Sequence, residues 1–224
     1  MNSSGGNLQW RVFSSIRWVT FGMVGKGAIY FLQLFFLARL LNADEFGIIA
    51  ITLSIIAILQ IFSDFGVSNA LIHYQSISSE QRSSLFWVNL LSSTFVAIII
   101  FFGSFSIANY YSQPQLKSLL WLSSLTLIIT SLGQQIKVMA EKNLQFSALT
   151  KFEVLSSFVG LVFTVGMAYM GMGVFSLVGG TMLSAIVFVS LLWIFLSFGW
   201  RPAFILNINS IGDFLKFGLF TMAN

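Results

Sequence analysis

The chain has 224 residues, of which 57% are apolar, 16% aromatic and only 8% charged, against roughly 25% charged in an ordinary soluble domain. With a mean hydropathy of +0.89, this composition excludes a cytosolic globular enzyme, and it excludes disorder, which needs high charge and few apolar residues. There are no cysteines and one histidine, so disulfides, thiolate metal sites, cysteine nucleophiles and histidine metal clusters are excluded together.

A spanning helix needs about 20 mostly apolar residues, because the hydrocarbon core is about 30 Å thick and each helical residue rises about 1.5 Å. Six segments meet that requirement: Trp18 to Leu41, Phe46 to Ser63, Leu85 to Ala108, Leu116 to Ile136, Phe152 to Met170 and Val174 to Phe198. The apolar runs do not alternate as barrel strands do. The predicted fold class is therefore all-α, a polytopic bundle of transmembrane helices. A further apolar segment begins near Phe214 and reaches Asn224 well short of a span. This divides the chain into a six-helix lobe over 1–212 and the start of a truncated seventh helix over 213–224.

The cations fix an orientation, since Lys and Arg are retained on the cytoplasmic side. With the N-terminus inside, the inner segments hold Arg11, Arg17, Arg82, Lys137, Lys142, Lys151, Arg201 and Lys216, whereas the outer turns hold only Arg39 and Lys117. Those outer turns are short, around Asn42 to Glu45, Ser112 to Gln115 and Gly171 to Gly173. Trp18, Trp87, Trp121, Trp193 and Trp200 lie near span ends, where an indole prefers the headgroup layer. The inner connection Lys137 to Phe152 carries Met139, Phe146 and Leu149 near one helical face. That pattern fits an interfacial amphipathic helix, or a plain extension of the flanking spans.

An ionised side chain at mid-bilayer costs at least about 2.5 kcal/mol, so it normally faces a bundle interior or a wet cavity. Lys26 lies inside the first span, in Gly22-Met-Val-Gly-Lys-Gly27, and Gln33 follows two turns along the same face. Either Lys26 snorkels to the interface, or it is a cationic point in an internal cavity that suits an anionic ligand. Asp64 and Gln60, four apart near the end of the second span, are candidates to relay a proton or hold a coupling ion, or else form a structural pair. Arg39, followed by Asp44 and Glu45, reads as an outer charge cluster or the lining of a vestibule. Glu153 beside Lys151 reads as a structural pair, and His73 as a solvated loop residue. Asn89, Gln134 and Gln135 suit interhelical hydrogen bonds, and Ser176, Gly180 and Ser184 form a stripe that lets a neighbouring backbone come close.

No Walker loop, Gly-x-Ser-x-Gly or His-Glu-x-x-His sequence is present, so no enzyme chemistry, cofactor, metal or nucleic acid is expected. Leu37-Ala-Arg-Leu-Leu-Asn-Ala-Asp-Glu-Phe-Gly47 resembles the junction after the first helix of Wzx-type polysaccharide flippases, of the multidrug/oligosaccharidyl-lipid/polysaccharide superfamily. Phe62-Ser-Asp-Phe-Gly66 with Asn69-Ala-Leu-Ile72, Asn143-Leu-Gln-Phe146 with Phe152-Glu153, Gly171-Met-Gly-Val-Phe-Ser-Leu-Val178 and Trp200-Arg-Pro202 resemble further motifs of that family, in the same order. Asn143 stands where the family has arginine. The similarity is greatest to colanic acid and lipopolysaccharide exporters.

The resemblance implies one lobe of a two-lobed transporter in a bacterial inner membrane. Such a transporter moves a lipid-linked oligosaccharide on undecaprenyl diphosphate across the bilayer by alternating access. Membrane lipids and polysaccharide polymerase or assembly proteins are the implied partners. Among the cavity cations of such a protein, Lys26 fits best and Arg39 second, with Gln33 beside Lys26. One lobe supplies one wall of a path, so the 224-residue chain alone is expected not to transport. The alternatives are an H⁺- or Na⁺-coupled multidrug-type exporter and a non-transporting membrane subunit of a polysaccharide assembly complex.

Overall fold

The computed structural model describes residues 3–63, 67–73, 77–207, 211, 212, 214, 216–218 and 221. Its elements are α1 (Ser3–Leu40), α2 (Ala43–Ser63), α3 (Val67–His73), α4 (Ser79–Tyr110), α5 (Gln115–Lys142), α6 (Phe146–Tyr169) and α7 (Phe175–Leu191), the last continued by a π-helical turn over Leu192–Leu196. Among the described residues there is no strand. All six long helices carry a stretch long and apolar enough to cross a membrane, from Ile16–Leu40 in α1 to Phe175–Leu196 in α7. The chain is thus a multi-pass membrane protein, as its apolar runs require.

Chain reversals are tight at one end of the bundle. There α1 meets α2, α4 meets α5 and α6 meets α7, sealed by Leu37, Leu41, Ile48, Ala108, Leu116, Leu119, Ala168, Val174 and Leu177. At the other end Ile136, Ala140, Leu149, Leu192 and Leu196 close α5, α6 and α7 together. Between the two ends α5 is central, packing on α4, α7 and α2, while α6 lies between α7 and α1. Burial ranks the helices the same way: 44% of the spanning window of α5 is buried, against 17% in α1 and in α2. Phe21, Val24 and Phe31 of α1 and Leu53 and Ile58 of α2 point outward, which hydrocarbon tolerates as water does not.

Several elements differ from the sequence expectation. Helix α1 begins at Ser3, well before Trp18, and α4 begins at Ser79 rather than Leu85. The start of α4 is a capping box: Gln81 N donates to Ser78 Oγ at 3.1 Å and Ser78 N donates to Gln81 Oε1 at 3.0 Å. No interfacial helix spans Lys137 to Phe152. Helix α5 runs on to Lys142, Leu144 turns at φ 56°, and Gln145 N donates to the Ala140 carbonyl at 2.9 Å. The extension reading therefore holds, because Asn143 to Gln145 reverse the chain before a separate element can form. His73 is no loop residue either: it closes α3 and stacks on Phe217 with ring centroids 4.3 Å apart.

Asn89, Gln134 and Gln135 each make an interhelical hydrogen bond, as their type and place suggested. Gln134 Nε2 donates to Ser68 Oγ at 2.9 Å, Gln135 Nε2 to the Arg82 carbonyl at 2.6 Å, and Asn89 Nδ2 to the Ser131 carbonyl at 3.4 Å. The segment after α7 is tied to the first turns of α4. Trp87 Nε1 donates to the Ala203 carbonyl at 2.8 Å, Asn207 N donates to Ser84 Oγ at 3.0 Å, and Ser84 Oγ donates to the Ile205 carbonyl at 3.2 Å. Arg82 lies over the Trp200 ring at 4.0 Å. Ser84 is fully buried, so Ser84→Ala leaves two backbone groups unpartnered at roughly 1–3 kcal/mol. Faster amide hydrogen exchange at 203–207, with α6 unaffected, is the expected outcome.

Candidate functional site

Helices α6 and α7 approach closely because their facing positions carry almost no side chain. A Cβ at Gly180 would lie 2.8 Å from the Gly160 carbonyl oxygen, and one at Gly160 would lie 2.9 Å from Ser184 Cβ. The small-residue stripe read from the sequence is therefore a true contact. Helix α1 lies alongside α6, with Thr150 Oγ1 donating to the Trp18 carbonyl at 3.1 Å and Gln33 Nε2 donating to Thr164 Oγ1 at 3.1 Å farther along. Between those two ties the three helices leave a half-open cleft of about 270 Å³.

The lining of the cleft follows helical periodicity. From α1 come Lys26, Ile29, Tyr30 and Gln33, from α6 Ser157 and Gly160, and from α7 Gly180, Thr181 and Ser184. Residues spaced three, four and seven apart share a helix face, so each helix contributes one such stripe. The result is a recess of mixed lining within an apolar bundle, with hydroxyls, an amide and a single cation set among apolar surface on its walls. Lys26 sits about 12 Å along α1 from Trp18 at the helical rise. Among the described residues no group of three His, Cys, Asp or Glu side chains gathers that could hold a metal ion.

Lys26 has a partner the sequence did not pair it with. Its Nζ donates to Glu153 Oε2 of α6 at 2.5 Å, while Glu153 Oε1 lies 3.4 Å from Lys137 Nζ of α5. Lys137 is also 3.9 Å from Glu141 Oε1, one helical turn on. Glu153 is therefore shared between two helices and does not pair with Lys151, whose ammonium lies 5.2 Å from the centroid of the Trp18 ring. Adjacency in sequence misled here: on a helix, residues two apart point away from each other.

Of the candidate residues, Lys26 and Gln33 come together in the cleft and the others do not join them. Arg39 is exposed near the end of α1, over the Phe35 ring at 4.5 Å. Glu45 accepts from the Asn42 backbone N–H at 2.8 Å. Gln60 lies on α2 with an exposed side chain, and α2 contributes nothing to the cleft walls. Asp64 lies outside the described residues. The cleft residues missed from sequence include Tyr30, Ser157 and Thr181, and Glu153, which the sequence set beside Lys151, is instead the counter-ion of Lys26 from outside the lining. For Tyr30, Ser157 and Glu153 the signal was present as the stripes Lys26-Tyr30-Gln33 and Glu153-Ser157-Gly160-Thr164, whereas Thr181 stands in neither.

A family model described as "Polysaccharide biosynthesis protein" matches residues 36–224. The chain belongs to this family. This member of the polysaccharide biosynthesis protein family is 26% identical over 221 residues to the lipopolysaccharide biosynthesis protein WzxC of Escherichia coli, covering 97% of the chain and 44% of WzxC. It is 24% identical over 220 residues to the teichuronic acid biosynthesis protein TuaB of Bacillus subtilis, covering 96% of the chain and 44% of TuaB. It is 24% identical over 213 residues to the succinoglycan biosynthesis transport protein ExoT of Rhizobium meliloti, covering 95% of the chain and 43% of ExoT. The chain thus spans less than half the length of these relatives. No solved structure matches it. The family match begins at residue 36, so Lys26 and Gln33 lie outside it, although the match to WzxC covers nearly the whole chain.

Proposed function

We propose that this chain forms one lobe, over 1–212, of a transporter that moves a lipid-linked oligosaccharide across a bacterial inner membrane, with 213–224 beginning a seventh spanning helix. The observation that carries this reading is the cleft itself, a recess that sets four hydroxyls and the cation Lys26 among apolar surface within a membrane bundle. A sugar head cannot cross about 30 Å of hydrocarbon unaided, so its carrier must supply hydrogen-bonding groups and a counter-charge along the way. Hydroxyls of Tyr30, Ser157, Thr181 and Ser184 suit a saccharide, and the compact ammonium of Lys26 suits a phosphate of the carrier lipid. The names of WzxC and ExoT, which point to lipopolysaccharide and succinoglycan, support the same substrate class.

A cytoplasmic N-terminus is supported by the clustering of Lys137, Lys142 and Lys151 at the bundle end that holds the α5–α6 turn. No catalytic role is assigned to any residue, and the action is binding and translocation. Export of an organic cation is less well supported, because the charged group on the cleft wall is basic. The protein in lipid nanodiscs should bind a short-chain prenyl diphosphate more tightly than the matching prenyl alcohol, by about tenfold, and the preference should shrink as salt rises. Equal affinity for the two would overturn the reading.

A further inference from the structure

Lys26 borders the cleft yet spends its charge on a carboxylate outside the lining. We propose that Glu153 is the resident counter-ion that an anionic ligand must displace, and therefore the residue that sets which head groups the cleft accepts. This rests on the reading of the cleft as a diphosphate site. An ammonium left alone among apolar helices is costly, and Glu153 Oε2 at 2.5 Å removes that cost while the cleft is empty. When a phosphate oxygen reaches Lys26, one oxyanion replaces another, and the lysine is never bare.

The displaced carboxylate is not bare either. Glu153 keeps Lys137 of α5 at 3.4 Å, and Lys137 in turn has Glu141 at 3.9 Å. The four groups carry two positive and two negative charges, so the exchange leaves each ion with a partner at every stage. Lys26 is the more accessible member of its pair, with 41% of its side chain exposed against 20% for Glu153. The ligand therefore meets the lysine first. A neutral sugar or alcohol has no charge to offer in exchange and leaves the pair closed. A diphosphate competes better than a single phosphate. The pair thus selects for charge at the head group, while the hydroxyls above it contact the saccharide.

If Glu153 were only a brace between α1, α5 and α6, removing its charge would loosen the site and weaken binding. As a competitor, it does the opposite. Binding to a site that is open only a fraction of the time is weakened by that fraction. Glu153→Gln, which keeps the shape and loses the charge, should therefore bind a short-chain prenyl diphosphate about tenfold more tightly if Lys26 is free roughly a tenth of the time. Lys137→Gln should act in the other direction, weakening diphosphate binding about threefold, because Glu153 then holds Lys26 as its sole cation.

The test is a titration of the wild type and both variants in nanodiscs with the prenyl diphosphate, and with the matching prenyl alcohol as a neutral control whose affinity should not move. Unchanged or weaker diphosphate binding by Glu153→Gln overturns the proposal while leaving the diphosphate site intact. A wild type that binds the alcohol as tightly as the diphosphate instead overturns the reading of the cleft, and the proposal with it. Should Glu153→Gln fail to fold, Lys137→Gln decides alone: weaker binding supports the exchange, and equal or tighter binding overturns it.

Discussion

Gly180→Leu is expected to push α6 and α7 apart and to place a new side chain in the cleft that they form with α1. The new Cβ would lie 2.8 Å from the Gly160 carbonyl oxygen and would press on Thr164 as well. A backbone oxygen cannot rotate out of the way as a long side chain can, so the helices themselves must shift. Overpacking of this kind costs about 1–3 kcal/mol, and at this size a Tm falls by roughly 2–4 °C for each kcal/mol. The shift also carries Thr164 away from the cleft residue Gln33, whose 3.1 Å hydrogen bond ties α1 to α6. Gly166→Leu is the matched control, because nothing lies within 4 Å of a Cβ at that position. Thermal unfolding in detergent should separate the two variants, with a clear drop for the first and almost none for the second. Equal Tm values would mean that the close α6–α7 contact contributes nothing to stability.

Lys26→Gln should weaken binding of a prenyl diphosphate by about tenfold or more, since a charge-assisted contact to a phosphate is roughly twice as strong as a neutral one. Folding should survive, because Glu153 retains Lys137 at 3.4 Å when Lys26 is gone. The removed charge is therefore not replaced by a buried, unpartnered carboxylate, the situation that makes broken ion pairs so damaging. Lys26→Arg should restore part of the affinity, through charge, but not all of it, because the larger planar head must fit beside Glu153 in the space of a compact ammonium. Affinity of Lys26→Gln equal to that of the wild type would remove the lysine from the site.

Much of the architecture was legible because lipid leaves few choices. Spans must be helical, about 20 residues long and apolar, so the run lengths alone located all six, and short turns such as Ser112 to Gln115 separated neighbours. The helix ends were less legible. Helices α4 and α5 extend past their apolar stretches into polar sequence, where a capping box at Ser78 or a left-handed turn at Leu144 fixes the boundary. Hydropathy is blind to such local hydrogen bonding and backbone geometry.

The site was half legible. The cost of a charge inside a span singled out Lys26, and helical spacing placed Gln33 on its face. Its counter-ion was hidden, because Glu153 is 127 positions away and the order of the helices in the bundle is not their order in the chain. Helix α1 packs on α6 rather than along α2, so neither the ion pair nor the recess between α1, α6 and α7 follows from neighbours in sequence. The stripe of Ser176, Gly180 and Ser184 illustrates the same gap. It marked a close contact correctly, but that Ser184 would also wall a cleft beside Lys26 depended on which helix came to face it.

Photoaffinity labelling in nanodiscs with a diazirine-bearing prenyl diphosphate, read by peptide mass spectrometry, tests the role of the cleft most directly. Adducts should concentrate on the cleft stripes of α1 and α7, at Tyr30 and Thr181, and should largely disappear in Lys26→Gln. Labelling spread over α2 and α4, or cleft labelling that Lys26→Gln leaves undiminished, would contradict an anion-binding site built around that lysine.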